Sequence, residues 1–301
     1  MTTSPSPSLP SLHGAFAHPD DESLLAGGVP GQHAAEGART AVVTATWAPD
    51  SHRAPELAEA LEVLGAGRPR MLGYGDARND SSAPGSPRLC DAPLDEVIAR
   101  LVVQLREFRP DVVVTHDAVG QLTGHSDHTH THRMTLLAVE AAGLAHLYPE
   151  AGEPWQTGAL YAATHPDSGV GDLGPLLTGV GKTVLSVPDA YVTATVDVTP
   201  WVDQKWRAII AHRGAGGRHG DAADVDHRRR GLGGQARGAR GVGRPPTGAH
   251  SGRSPCSREG HRAAPPSQWR GGAGVSCTGG PYGASAASRP TGAGLARQGA
   301  R

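Results

Sequence analysis

Up to about residue 213, apolar residues follow two rhythms in turn. Short runs read as strands: Leu12 to Ala17, Thr40 to Thr46, Arg70 to Tyr74, Val112 to Thr115, Ala159 to Thr164 and Tyr191 to Val198. The Thr40 run (TAVVTAT) and Val112-Val113-Val114 are rich in β-branched residues, as strands covered on both faces are. Between them lie stretches with a helical period. Ser23 to Gly37 predicts a helix, kinked or stopped early at Pro30-Gly31, where the proline ring removes a hydrogen bond. Pro55 to Gly65 has Leu57, Ala58, Leu61 and Leu64 at helical spacing, with Glu56, Glu59 and Glu62 largely outward. Pro93 to Phe108 repeats that pattern through Val97, Ile98, Leu101, Val102 and Leu105. A His-rich segment opens the next helix, which runs to about Ala142, and Pro200 to His212 reads as a late helix with Pro in its first turn. Gly75 to Pro87 and His116 to Gly124 are loops, the first too long for a plain connector, and long loops are often functional. Strands alternating with helices predict an α/β fold, Rossmann-like, with a mostly parallel sheet flanked by helices.

Beyond residue 213 both rhythms stop. Residues 214–301 hold 14 Arg, no Lys and four acids, a net of +10, against −11 for residues 1–213. Their few large apolar residues have no period and cannot offset an ordering cost of about 1–2 kcal/mol per residue. A disordered, Gly/Arg-rich tail is therefore expected. Its vocabulary of Gly, Arg, Ala, Pro, Ser and His is what out-of-frame reading of GC-rich DNA produces, and a frameshift near codon 213 is the expected cause. A natural basic tail that binds nucleic acid is the other reading, but Trp269 and Tyr282 are too few aromatics for a single-strand binder. Residues 1–11, Ser/Pro-rich, are expected to be a disordered leader. That leaves 12–213 as the folded domain, incomplete at its C-terminal end.

Composition excludes several classes. The whole chain has a formal net charge of −1, which points to no special partner. Three cysteines form neither a disulfide framework nor a C-x-x-C pair, as in a reducing cytosol. Met1 to Pro10 lacks the basic and apolar regions of a secretory signal, and no stretch approaches the roughly 20 apolar residues of a membrane span. A cytoplasmic protein that does not engage a membrane is expected.

Chemistry concentrates in two clusters. Ala17-His18-Pro19-Asp20-Asp21-Glu22 follows the first strand, at the end where ligands bind in open α/β sheets. His125-Ser126-Asp127-His128 opens a helix about a hundred residues later. His18 and Asp21, three apart at a strand-to-helix turn, can face one point, and His128 can supply a third ligand, the usual number for a catalytic Zn²⁺ with an open position. Such an ion brings the pKa of water down toward about 7. Asp20 is placed as general base, His125 as donor to a developing oxyanion, and Asp127 to hold the His125 ring in the right tautomer. The plainer reading is that Asp20, Asp21 and Glu22 only decorate a helix N-terminus, which favours acids. His130 and His132 are assigned to that plainer class, since their offsets from His128 need not face the same point.

Ala-His-Pro-Asp-Asp-Glu with a distal His-x-Asp-His after a Val-rich strand resembles the PIG-L/LmbE-like deacetylase family, over about residues 12–213. The resemblance implies a zinc-dependent hydrolase, with Fe²⁺ the other metal considered. Its substrate would be a small N-acyl amino-sugar conjugate of the glucosamine type. By match, it implies His18, Asp21 and His128 as ligands, Asp20 as base, and His125 paired with Asp127 as electrostatic catalyst. Arg53, in Arg-x-x-Glu-Leu, and Asp80 match sugar-contacting positions. Two departures stand out: Ser126 replaces a Pro common in relatives, and a Tyr often found just upstream of that motif is absent, with Thr123 nearby. Two alternatives follow: a conjugate amidase of the mycothiol kind, and a truncated relative that binds metal without turnover.

Overall fold

The computed structural model describes residues 9–213 except 172, 180 and 182, together with the backbone of 276–278. The tail and the frameshift expected from the sequence lie outside the described residues, apart from that short segment. Five strands form as the apolar runs predict: β1 (Leu12–Phe16), β2 (Thr40–Thr46), β3 (Arg70–Tyr74), β4 (Val112–His116) and β5 (Ala159–Thr164). They pair in parallel in the order β3-β2-β1-β4-β5. β7 (Ser276–Thr278) lies antiparallel to β5, and β6 (Ala194–Thr195) pairs antiparallel with β7 at the sheet edge. Successive side chains of a strand point to opposite faces, and the valines divide accordingly. Val43 and Val113 enter a core with α4 (Leu94–Phe108) and α5 (Ser126–Ala142), and Val42 and Val114 enter a second with α3 (Arg53–Leu64) and α7 (Val202–Ala211). Each fully buried leucine there, such as Leu61 or Leu101, contributes roughly 1.5–3 kcal/mol. Among the described residues, no helix is long and apolar enough to cross a membrane.

Five features depart from the sequence reading, the first being β7 itself, a strand formed within the stretch expected to be a disordered tail, where pairing of its backbone with the free edge of β5 supplies the order that its composition does not. The single helix expected over Ser23 to Gly37 is two, α1 (Asp21–Ala26) and α2 (Gly28–Ala35), and they part at Gly27 rather than at Pro30. Pro30 sits in the first turn of α2, where its missing N–H costs nothing. Tyr191 to Val198 is mostly loop, with only Ala194–Thr195 as strand. A short helix, α6 (Leu173–Gly179), was not expected. Ser11, expected to lie in a disordered leader, is buried instead, and its hydroxyl donates to Asp111 Oδ2 at 2.7 Å; residues 1–8 lie outside the described residues.

The strand order places a topological switch point between β1 and β4, whose following connections leave in opposite directions along the sheet. Both His/Asp clusters issue from the C-terminal ends of those two strands. That crevice is where open α/β sheets bind ligands.

Candidate active site

β1 ends at Phe16, and the run Ala17 to Glu22 turns into α1. β4 ends at His116, and a loop through Gly120 leads to His125 at the N-terminus of α5. Gly120 has φ +79°, and a Cβ there would lie 2.9 Å from the His125 carbonyl oxygen, so only glycine lets the loop fold back this tightly. A hydrogen bond from the Ala17 N–H to His116 Nε2, 2.8 Å, ties the two strand ends together.

His18, Asp21 and His128 converge. His18 Nδ1 lies 3.1 Å from Asp21 Oδ2 and 3.2 Å from His128 Nε2, and His128 Nε2 lies 3.3 Å from Asp21 Oδ1. Ligands bound tetrahedrally to Zn²⁺ at 2.0–2.2 Å stand about 3.3 Å apart, and the two imidazole nitrogens are at that spacing, each with one of the two Asp21 oxygens beside it. The outer nitrogens fit as well. His18 Nε2 faces Asp127 Oδ2 at 3.2 Å, and His128 Nδ1 faces the Gly120 carbonyl at 3.3 Å. Each of these N–H groups donates outward, which leaves the inner lone pair for a metal, as ligating histidines are usually held.

Electrostatics point the same way. Burial disfavours a charged His18, but Asp21, Asp127 and Asp76 outweigh it and hold its pKa well above the ordinary value. Burial pushes the Asp21 carboxylate up, and the imidazoles of His128, His18 and His116 more than reverse this, holding it well below the usual range. The cluster thus favours positive charge at one point, supplied by a proton on His18 or by a metal ion. Asp127 Oδ1 is buried without a hydrogen-bond partner, a further acceptor in want of a cation or donor.

His116 and Asp76, which the sequence reading passed over, lie against the same cluster. His116 Nε2 is 3.5 Å from Asp21 Oδ2, and Asp76 Oδ2 is 3.7 Å from His18 Nε2. His116 does not fit a ligand role, since Nε2 accepts from Ala17 and Nδ1 faces Gln121 Oε1 at 3.0 Å. Burial, with His128 adding to it, brings its pKa down to about 3, so it stays neutral and structural.

Asp20 stands at φ 150°, ψ −26°, in a region that favours glycine. Burial and the neighbouring Asp21 push its carboxyl up to about 6, against the pull of Arg53 and His18. Arg53 Nη2 lies 3.1 Å from Asp20 Oδ2 and donates to the Pro19 carbonyl. His125 Nδ1 accepts the Asp127 backbone N–H at 3.2 Å as the cap of α5, so its proton sits on Nε2. Burial, with His18 and His128, lowers His125 to about 4, and Nε2 makes no hydrogen bond among the described residues. A neutral N–H donor is thereby left free beside the cluster.

Residues 15–139, which contain both halves of this cluster, match the profile of PIG-L, GlcNAc-PI de-N-acetylase. A 1D-myo-inositol 2-acetamido-2-deoxy-α-D-glucopyranoside deacetylase of Rhodococcus jostii (strain RHA1) is 40% identical over 232 residues, covering 65% of this chain and 78% of that one. This chain belongs to the PIG-L family. The same α/β fold is found in solved structures. A conserved protein of Thermus thermophilus aligns with TM-score 0.53 and 24% identity, over 76% of this chain and 89% of that one. A 4-carboxy-2-hydroxymuconate hydratase of Pseudomonas putida KT2440 aligns with TM-score 0.52 and 18% identity, over 81% and 100%. A hydratase on this fold shows that chemistry must be read from the site.

Within this PIG-L site, the structure brings together His18, Asp20, Asp21, His125, Asp127 and His128. Three expectations change in detail. The Asp127 carboxylate bonds His18 and the Ala77 N–H, and lies 3.8 Å from His125 Nδ1; the helix amide, being closer, sets the His125 tautomer. Arg53 is 5% exposed, and its guanidinium is turned onto Asp20, Pro19 and Glu56 rather than outward toward a sugar. Asp80 is exposed, and the acid of its loop that reaches the cluster is Asp76.

Proposed function

We propose that this chain hydrolyses the acetamide of an N-acetylglucosamine conjugate, with an inositol aglycone as in its relatives, to release acetate and a free amine. The observation that carries the reading is the convergence of His18 Nδ1, Asp21 and His128 Nε2 beside Asp20. His18, Asp21 and His128 would hold a divalent ion, and two imidazoles with one carboxylate suit Zn²⁺, with Fe²⁺ second. When bound, that ion supplies Lewis acidity that makes water more acidic and polarises the amide carbonyl.

The chain's own residues do the rest. Asp20, with a pKa of about 6, is mostly ionised at neutral pH and takes the proton lost by the attacking water. It then returns that proton to the departing amine nitrogen, so the carboxylate is regenerated. His125 Nε2–H donates to the carbonyl oxygen as it gains charge, and being neutral it does so without a competing proton transfer. Arg53 keeps Asp20 in place and ionised. Asp127 orients His18.

Acetate release from N-acetylglucosaminyl-inositol tests the reading. Activity should vanish with a chelator and return with Zn²⁺. Asp20→Asn should lower kcat by about 10²–10⁴, the usual worth of a general base, while bound metal stays at the wild-type level. An unchanged rate in Asp20→Asn would overturn the assignment of the base, and chelator-resistant turnover would overturn the metal.

A further inference from the structure

Glu22 ends the His18-to-Glu22 run, and the reaction above leaves it without a task. It is fully buried, yet its carboxylate accepts three hydrogen bonds. Oε2 takes the Asp20 N–H at 2.9 Å. Oε1 takes the Ser23 hydroxyl at 2.6 Å and faces His212 Nε2 at 2.7 Å. Glu22 thus grips the backbone of the residue whose φ is 150°, while Arg53 grips its side chain. Such a conformation persists only where its surroundings over-determine it.

His212 lies 190 residues away in sequence, just past the last turn of α7. It is buried, and its Nδ1 has no hydrogen-bond partner, so Glu22 is the ring's sole hydrogen-bond partner among the described residues. α7 is docked by other means. Ala208 and Ala211 sit in the core, Gln204 Nε2 donates to the Val63 carbonyl at 2.7 Å, and Arg213 pairs with Glu59 at 2.8 Å. The helix thus has anchors of its own besides the ring. What the ring holds is one oxygen of Glu22, and so the rotamer that presents the other oxygen to Asp20.

We propose that His212, acting through Glu22, is a positioning residue for Asp20: the late helix completes the active site by fixing the base. This rests on Asp20 being the base. A histidine just past the last described helix is thereby made part of a site whose other parts lie between His18 and His128.

Full-length His212→Leu, His212→Gln and Asp20→Asn variants, loaded with Zn²⁺, test it through zinc per chain and through kcat and KM for N-acetylglucosaminyl-inositol. In His212→Leu, kcat should fall at least tenfold, with KM within twofold and zinc unchanged. His212→Gln, whose amide N–H can reach Glu22 Oε1, should recover most of the loss. Wild-type kcat in His212→Leu overturns the proposal, as does a His212→Gln no better than His212→Leu, or a loss confined to KM or zinc. Should His212→Leu not fold, His212→Met, which also lacks a donor but fills the site more flexibly, carries the same test: a lower kcat at unchanged KM supports it, and wild-type kcat overturns it. An active Asp20→Asn would defeat the base reading beneath it. An inactive Asp20→Asn beside a fully active His212→Leu defeats the positioning role alone.

Discussion

At Asp20 three influences of different origin meet. Burial is the largest and favours the neutral acid, the Asp21 carboxylate adds to it, and the Arg53 guanidinium opposes both. Removing the guanidinium while keeping its bulk, as Arg53→Met does, takes away a pull toward the ionised form, so the pKa of Asp20 must rise. With Asp20 as the proposed base, the ionised form is the active one, and so the acid limb of kcat/KM should move to higher pH. A limb that stayed put or moved down would remove Arg53 from this role. The same residue shows where legibility ends. That His18, Asp21 and His128 come together could be expected from spacing and residue type, because candidate metal ligands are few, near and of known kinds. Arg53 could not be separated from a sugar contact, since a sequence does not say which way a long side chain turns. His116 was hidden as the first residue of a loop, whereas it ends β4 and is stapled to Ala17.

Elements were legible where pattern and length agree, as in β2 and β3, whose bounds match the apolar runs. They were illegible where tertiary contact decides. Gly28 opens α2 against Val198, whose Cβ would lie 2.4 Å from a Cβ at that position, and no local signal announces that neighbour. Arg106 is a second case. It read as part of an amphipathic helix, yet it is buried and donates to six carbonyls at and beyond the end of α5: Ala141, Ala142, Leu144, Leu147, Tyr148 and Gly152. Helix ends leave carbonyls in need of donors, and here one guanidinium answers that need for a whole turn and its loop. Arg106→Met should therefore lower the unfolding free energy by about 2–4 kcal/mol, since each buried group left unpaired costs about 1–3. Urea unfolding reads it, and a midpoint unchanged at constant slope would show that water replaces the guanidinium.

Over the whole molecule, the sheet order β3-β2-β1-β4-β5 brings two ends of the site together that the chain separates by about a hundred residues. An ion shared by His18, Asp21 and His128 would join β1 to α5 in the folded state only, and so stabilise it by mass action. At a hundredfold excess over Kd the gain is about 2.7 kcal/mol, or roughly 5–10 °C in Tm for a domain of this size. Calorimetry with Zn²⁺ and with chelator measures it, and equal Tm values would mean the cluster takes no ion.

By itself the sequence determined the class of fold, the two clusters and the chemistry they imply. Periodicity, charge and ligand type are local properties and survive in one dimension. Tertiary structure alone decided which nitrogen of each histidine faces inward, that Asp127 serves His18 and a helix amide serves His125, and that Arg53 and Glu22 both turn onto Asp20. Those outcomes depend on direction and burial, which arise only when strands and helices pack. The opening motif begins the site, and packing alone brings His212, 190 residues away in sequence, against its last residue.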